Sequence, residues 1–205
     1  MTSNLVDPRA ASPAPAYRLA FDEVIGAIFR IAFSRPGDHD IFRHASVRAI
    51  DFIGPVVVLV VINVAYELST DPLVQRAMSA GSNVGAKVLG LLVGGILLRA
   101  VINLAVTYGL AKGAVAPDRV GPGLLTYAWM HAVLVGPWTI LGKSVVSGGG
   151  PEWLILLLGG GILLFLVVGT SRIMSIAFGV SVGFGAVFAW TGSVVSFAVD
   201  QLISW

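Results

Sequence analysis

Arg99 is the residue best placed to do chemistry. It stands inside an apolar run from Val88 to Leu110, roughly 16 Å along a helix that rises ~1.5 Å per residue. That depth lies near the middle of a bilayer, where even the lenient insertion scale charges an arginine about 2.5–3.5 kcal/mol. Asn103 follows one turn later on the same face, and Asn63 and His131 reach comparable depths in neighbouring apolar runs. These four residue types suit a polar pocket or water-filled cavity between helices, with Arg99 holding an anionic group such as a lipid phosphate. They also suit a buried hydrogen-bond network that locks three helices together, the commoner use of polar groups between membrane helices, at about 0.6 kcal/mol each. A proton or ion pathway calls for a mid-span carboxylate. Asp51, Glu67 and Asp200 all fall near span ends, so transport is the weaker expectation.

Little else in the chain points to catalysis. There are three histidines and no cysteine, which excludes thiol catalysis, disulfides and cysteine-ligated metals. His39, Asp40 and His44 lie close together, but two histidines five apart share a helical face poorly, and solvated polar residues are expected there. Gly148-Gly149-Gly150 lacks the following Lys and helix start of a phosphate-binding loop, so it reads as a turn. No catalytic residue, metal site or cofactor is expected, and the chain reads as a non-enzyme.

The elements that carry these residues belong to a membrane. Of 205 residues 56% are hydrophobic and 12% charged, with a mean hydropathy of +0.88. Soluble domains carry about 25% charged residues, so this chain cannot coat a water-facing surface. A crossing helix needs ~20 mostly apolar residues. The apolar blocks here are continuous, without the alternation of an outer-membrane barrel, and lipid-embedded backbone leaves helices as the remaining choice. The net charge of +2 is too small to suggest nucleic-acid binding.

An all-α bundle of about five transmembrane helices is predicted within 46–205, with spans near 50–68, 88–110, 124–141, 154–178 and 185–204. The third is interrupted by Gly136-Pro137, and Leu73 to Gly85 is a polar connection with room for a short surface helix. Lys112 to Pro122 is expected to be a loop. The 53 residues from Trp153 to Trp205 suit two spans of ~20 residues each plus a turn. That turn falls either at Thr170-Ser171-Arg172 or, preferably, between Gly179 and Gly185.

Ahead of the spans, 1–16 is a Pro- and Ala-rich tail expected to be disordered. Over 17–45 comes a cytoplasmic segment of helix and linker. Phe21, Val24, Ile25, Ile28, Ile31 and Ala32 fall at helical spacing opposite a polar stripe. Such an amphipathic helix lies in the lipid interface or packs under the bundle. The first apolar block comes too late and is too long for a signal peptide.

Small residues recur at a spacing of four in Gly90 and Gly94, and again in Ser175, Gly179 and Gly183. The pattern lets helix backbones approach closely, within the bundle or against a partner. Four of the five tryptophans, Trp129, Trp138, Trp153 and Trp205, mostly mark span ends as an interfacial belt does, while Trp190 fits less well. With five spans, nine Lys and Arg gather on the N-terminal side and three (Arg76, Lys87 and Lys143) on the other. The positive-inside rule then places the N-terminus in the cytoplasm and the C-terminus outside.

Several stretches resemble the Yip domain family of Ypt/Rab-interacting multi-pass membrane proteins and their bacterial relatives. Ala32-Phe33-Ser34-Arg35-Pro36 is similar to the aromatic–Pro segment before the domain. Leu124-Leu125-Thr126-Tyr127-Ala128-Trp129, followed by Gly136-Pro137-Trp138, resembles the third span. Ser171-Arg172-Ile173-Met174 and Gly183-Phe184-Gly185 resemble the closing pair. The likeness covers about Phe33 to the C-terminus and looks bacterial, which implies a cytoplasmic (inner) membrane. It carries over no catalytic residue. Eukaryotic members are adaptors for small GTPases, so the implied role is a scaffold or accessory subunit that binds membrane-protein partners, a second copy of itself or lipids. A small transporter with a polar cavity around Arg99 is the alternative.

Overall fold

The computed structural model describes residues 21–32, 47–148 and 151–203. The tail 1–16 and the group His39, Asp40 and His44 lie outside them. The first described element, α1 (Phe21–Ala32), carries Asp22 and Glu23 in its first turn and Arg30 in its last, the arrangement that complements a helix dipole. Val24, Ala27, Ile28 and Ile31 form its apolar stripe and are all but inaccessible. The stripe faces α5 and α7, so of the two expected placements this helix takes the one packed on the bundle.

A 3₁₀ turn, Ala49–Phe52, leads into α2 (Ile53–Thr70). Asp71 ends α2 and caps the short α3 (Pro72–Ser79) by accepting from the Leu73 amide at 2.7 Å. Pro72 sits at the first helical position, where its missing N–H costs nothing. Gly81, at φ +123°, turns the chain into α4 (Ser82–Ala114). At 33 residues α4 is roughly 50 Å long, longer than the ~30 Å hydrocarbon core, and Arg99 stands near its middle.

The expected loop over 112–122 is instead almost wholly helical. Only Val115 and Ala116 separate α4 from α5 (Pro117–Met130). Hydropathy marks where a helix leaves the lipid, not where its hydrogen bonding ends. A wide π-helical turn, His131–Val135, then joins α5 to α6 (Gly136–Ser147). Pro137 explains it: a proline has no N–H to give, and its ring presses on the carbonyl four residues earlier. The wider turn places the Gly136 amide on the His131 carbonyl instead.

The last two spans are α7 (Glu152–Phe178) and α8 (Val182–Ile203). The turn between them falls at the preferred site, because Gly179 adopts φ +66°. Its amide donates to the Ile176 carbonyl at 3.2 Å and the Val180 amide to Ser175 at 2.9 Å, the paired bonds of a glycine-stopped helix. Arg119 adds a charged donor to the Ile176 carbonyl at 3.5 Å.

The protein is thus an all-α membrane bundle, with no strand among the described residues. Among the described residues four helical segments are long and apolar enough to cross a bilayer, and α8 adds a shorter apolar stretch, Val182–Gly192. The third crossing, α5 to α6, is the axis: half of its apolar window is buried, against 6% for each of the first two. Every residue from Pro122 to Met130 is buried. Trp129, expected in the interfacial belt, belongs to this core, where its ring lies against Gly54.

The small-residue pattern needs correction as an internal packing motif. A Cβ on Gly90, Gly94 or Gly183 would meet no atom of the chain within 4 Å, and Gly179 is a helix stop. Of that set only Ser175 lies at a helix crossing. There α7 and α8 meet at Gly185, where a Cβ would collide with the Ser171 carbonyl and the Ser175 amide. A spacing of four identifies one face of a helix but does not say what that face meets.

Candidate functional site: an intramembrane polar cavity

Asn63, Arg99, Asn103 and His131 line a single cavity of about 260 Å³. Asn63 comes from α2, Arg99 and Asn103 from α4, and His131 from the π turn. Sequence reading anticipated this meeting but missed four further polar members: Tyr66, Tyr127, Thr139 and Lys143. Three of them were legible as a pattern. Tyr127, His131, Val135, Thr139 and Lys143 recur every fourth residue, which sets them on one stripe of a helical rod.

The cavity runs from Arg99, near the middle of α4, toward the end of α6. At its outer end the Lys143 Nζ sits 5.6 Å from the centre of the Tyr66 ring, within cation–π range. Both residues stand one turn from the ends of their helices, α6 and α2. At its inner end the Tyr127 and His131 rings are 4.3 Å apart at 49°. Among the described residues no Asp or Glu lines the cavity. Two cations, Arg99 and Lys143, line it, and Arg and Lys are the donors that match phosphate and carboxylate.

Asn63 Nδ2 donates within its own helix, to the Leu59 carbonyl at 2.8 Å. Among the described residues three buried side-chain atoms have no hydrogen-bond partner: the Tyr127 hydroxyl, His131 Nε2 and Trp190 Nε1. The Thr107 hydroxyl lies beside that of Tyr127 but not in bonding geometry, and donates instead to the Asn103 carbonyl at 2.7 Å. Each unmatched group costs about 1–3 kcal/mol. Tyr127 and His131 both border the Arg99 cavity. Two of the three orphans thus belong to residues at its inner end.

Close packing holds the inner end rigid. The Tyr127 hydroxyl occupies the space where a Cβ on Gly192 would stand, with Asn103 alongside. Phe178 fills the notch left by Gly123 and stacks on Phe188 at 4.5 Å. Comparison with known proteins finds no family model, no curated protein and no solved structure that matches the chain.

Proposed function

We propose that this protein is a non-enzymatic accessory subunit or scaffold of a bacterial cytoplasmic membrane, and that it works by holding an anionic lipid headgroup in the Arg99 cavity. The observation that carries the reading is that Arg99 and Lys143 line one cavity. The nine-to-three bias in basic residues supports a cytoplasmic N-terminus. The Lys143 end of the cavity, on the side where α2 and α6 finish, then faces the periplasm. The Yip-like layout of the spans fits an adaptor role. The outward glycines Gly90 and Gly94 leave a small-residue face on α4 for a partner helix or a second copy.

The test is thermal unfolding of the purified chain in a neutral detergent, with phosphatidylglycerol or phosphatidylcholine added. Phosphatidylglycerol should raise the midpoint, phosphatidylcholine should not, and Arg99→Gln should remove most of the difference. Equal effects of the two lipids, or an unchanged response in Arg99→Gln, refute the reading.

A second reading, a small transporter, draws on the reach of the same cavity from mid-bilayer to the outer end of α6. Anion flux into liposomes that falls in Arg99→Ala would favour it. Flux that is absent, or unaltered by the substitution, would remove it.

A further inference from the structure

On the other flank of the His131 stripe, α6, α7 and α8 enclose a second cavity of about 380 Å³. Its walls are mostly apolar, as at Val135, Ile162 and Leu166. His131, Thr139, Lys143, Thr170 and Trp190 break that character, and His131 and Trp190 carry two of the three unmatched buried atoms. An indole nitrogen can only donate, so whatever satisfies Trp190 brings an acceptor. The cation on this wall, Lys143, stands roughly 18 Å from His131 along the helix, toward its outer end. The deep end therefore has no ionic group among its lining residues, and a charge left there would be costly. An uncharged acceptor such as a carbonyl oxygen fits. The Trp138 and Trp190 rings add flat apolar walls, the surface against which a planar ring packs.

We infer that this cavity binds an uncharged, lipid-soluble molecule of the quinone class, inserted head first, with a carbonyl oxygen accepting from the Trp190 N–H. The site shares the stripe His131, Val135, Thr139 and Lys143 with the Arg99 cavity but does not include Arg99, and it takes a different ligand, so it stands whether or not the anion reading does.

Native mass spectrometry of the full chain, released from neutral detergent with decylubiquinone, tests it. The wild type should form a saturable one-to-one adduct, and n-decane, which has no oxygen, should form none. Trp190→Phe keeps the ring but removes the donor, and should weaken binding about fivefold, the worth of one net hydrogen bond. Gly159 also lines the cavity, and a Cβ there meets no atom within 4 Å. Gly159→Leu should therefore fold normally, fill the space and abolish the adduct. Arg99→Gln should bind as the wild type does. No saturable adduct, an equal n-decane adduct, or wild-type affinity in Gly159→Leu overturns the inference. So does wild-type affinity in a folded Trp190→Phe. Loss of binding in Arg99→Gln overturns the separateness of the sites. If Trp190→Phe fails to fold, Gly159→Leu decides.

Discussion

The Tyr127 hydroxyl, His131 Nε2 and Trp190 Nε1 set the energetics at the residue scale. A buried polar atom without a partner costs stability, and removing it along with its polarity is nearly neutral or favourable. Tyr127→Phe keeps the ring stacked on His131 and deletes only the hydroxyl. It should leave the protein equally stable or stabilise it by up to about 1 kcal/mol, read by chemical unfolding in detergent. A loss greater than that would mean the hydroxyl has a partner after all. Arg99 is the complementary case: its charge is costly inside an apolar span and it lines a cavity that Lys143 also lines, so its substitution should be felt in anion binding more than in folding. The depth of Arg99, Asn63, Asn103 and His131 was legible because an apolar run sets each polar residue in relief. Tyr127, Thr139 and Lys143 escaped because aromatic, hydroxyl and near-terminal basic residues are unremarkable one at a time. Only their spacing of four from His131 singles them out.

At the scale of elements, the helix faces matter more than the helix positions. The turn at Gly179 and the interruption at Pro137 could be read from residue type, since each changes what the backbone is able to do. The wide turn at His131–Val135 could not, because it is the bundle's answer to Pro137. Nor could the partners of the small residues. Gly185, outside the expected series, is the one pressed on α7 backbone, while Gly90 and Gly94 look outward. Gly185→Val should therefore destabilise the protein by about 1–3 kcal/mol, with α7 and α8 forced apart. Gly94→Leu should leave the unfolding midpoint of the monomer unchanged but reduce any dimer or partner complex seen in cross-linking of native membranes. Equal tolerance of Gly185→Val and Gly94→Leu would show that the α7–α8 crossing is not as drawn.

For the whole molecule, α5 and α6 form an axis with a cavity on each flank. The Arg99 cavity lies toward α2 and α4, the largely lipid-exposed crossings, and the second toward α7 and α8. The buried stripe of α1 closes on α5 and α7, so the amphipathic helix is part of the folded bundle. Between α2, α4 and α6 the bundle holds a cavity lined by polar residues, which in the proposed orientation opens toward the outside of the cell. The chain has no cysteine of its own, so Asn63→Cys and Val61→Cys each introduce a single thiol, the first on the cavity and the second 60% exposed on the outer surface of α2. The most direct measurement is their reaction in intact cells with a charged, membrane-impermeant thiosulfonate, which needs water to reach a thiolate. The prediction is modification of Asn63→Cys from outside the cell, with Val61→Cys left inert in lipid. Equal inertness of the two thiols would contradict it.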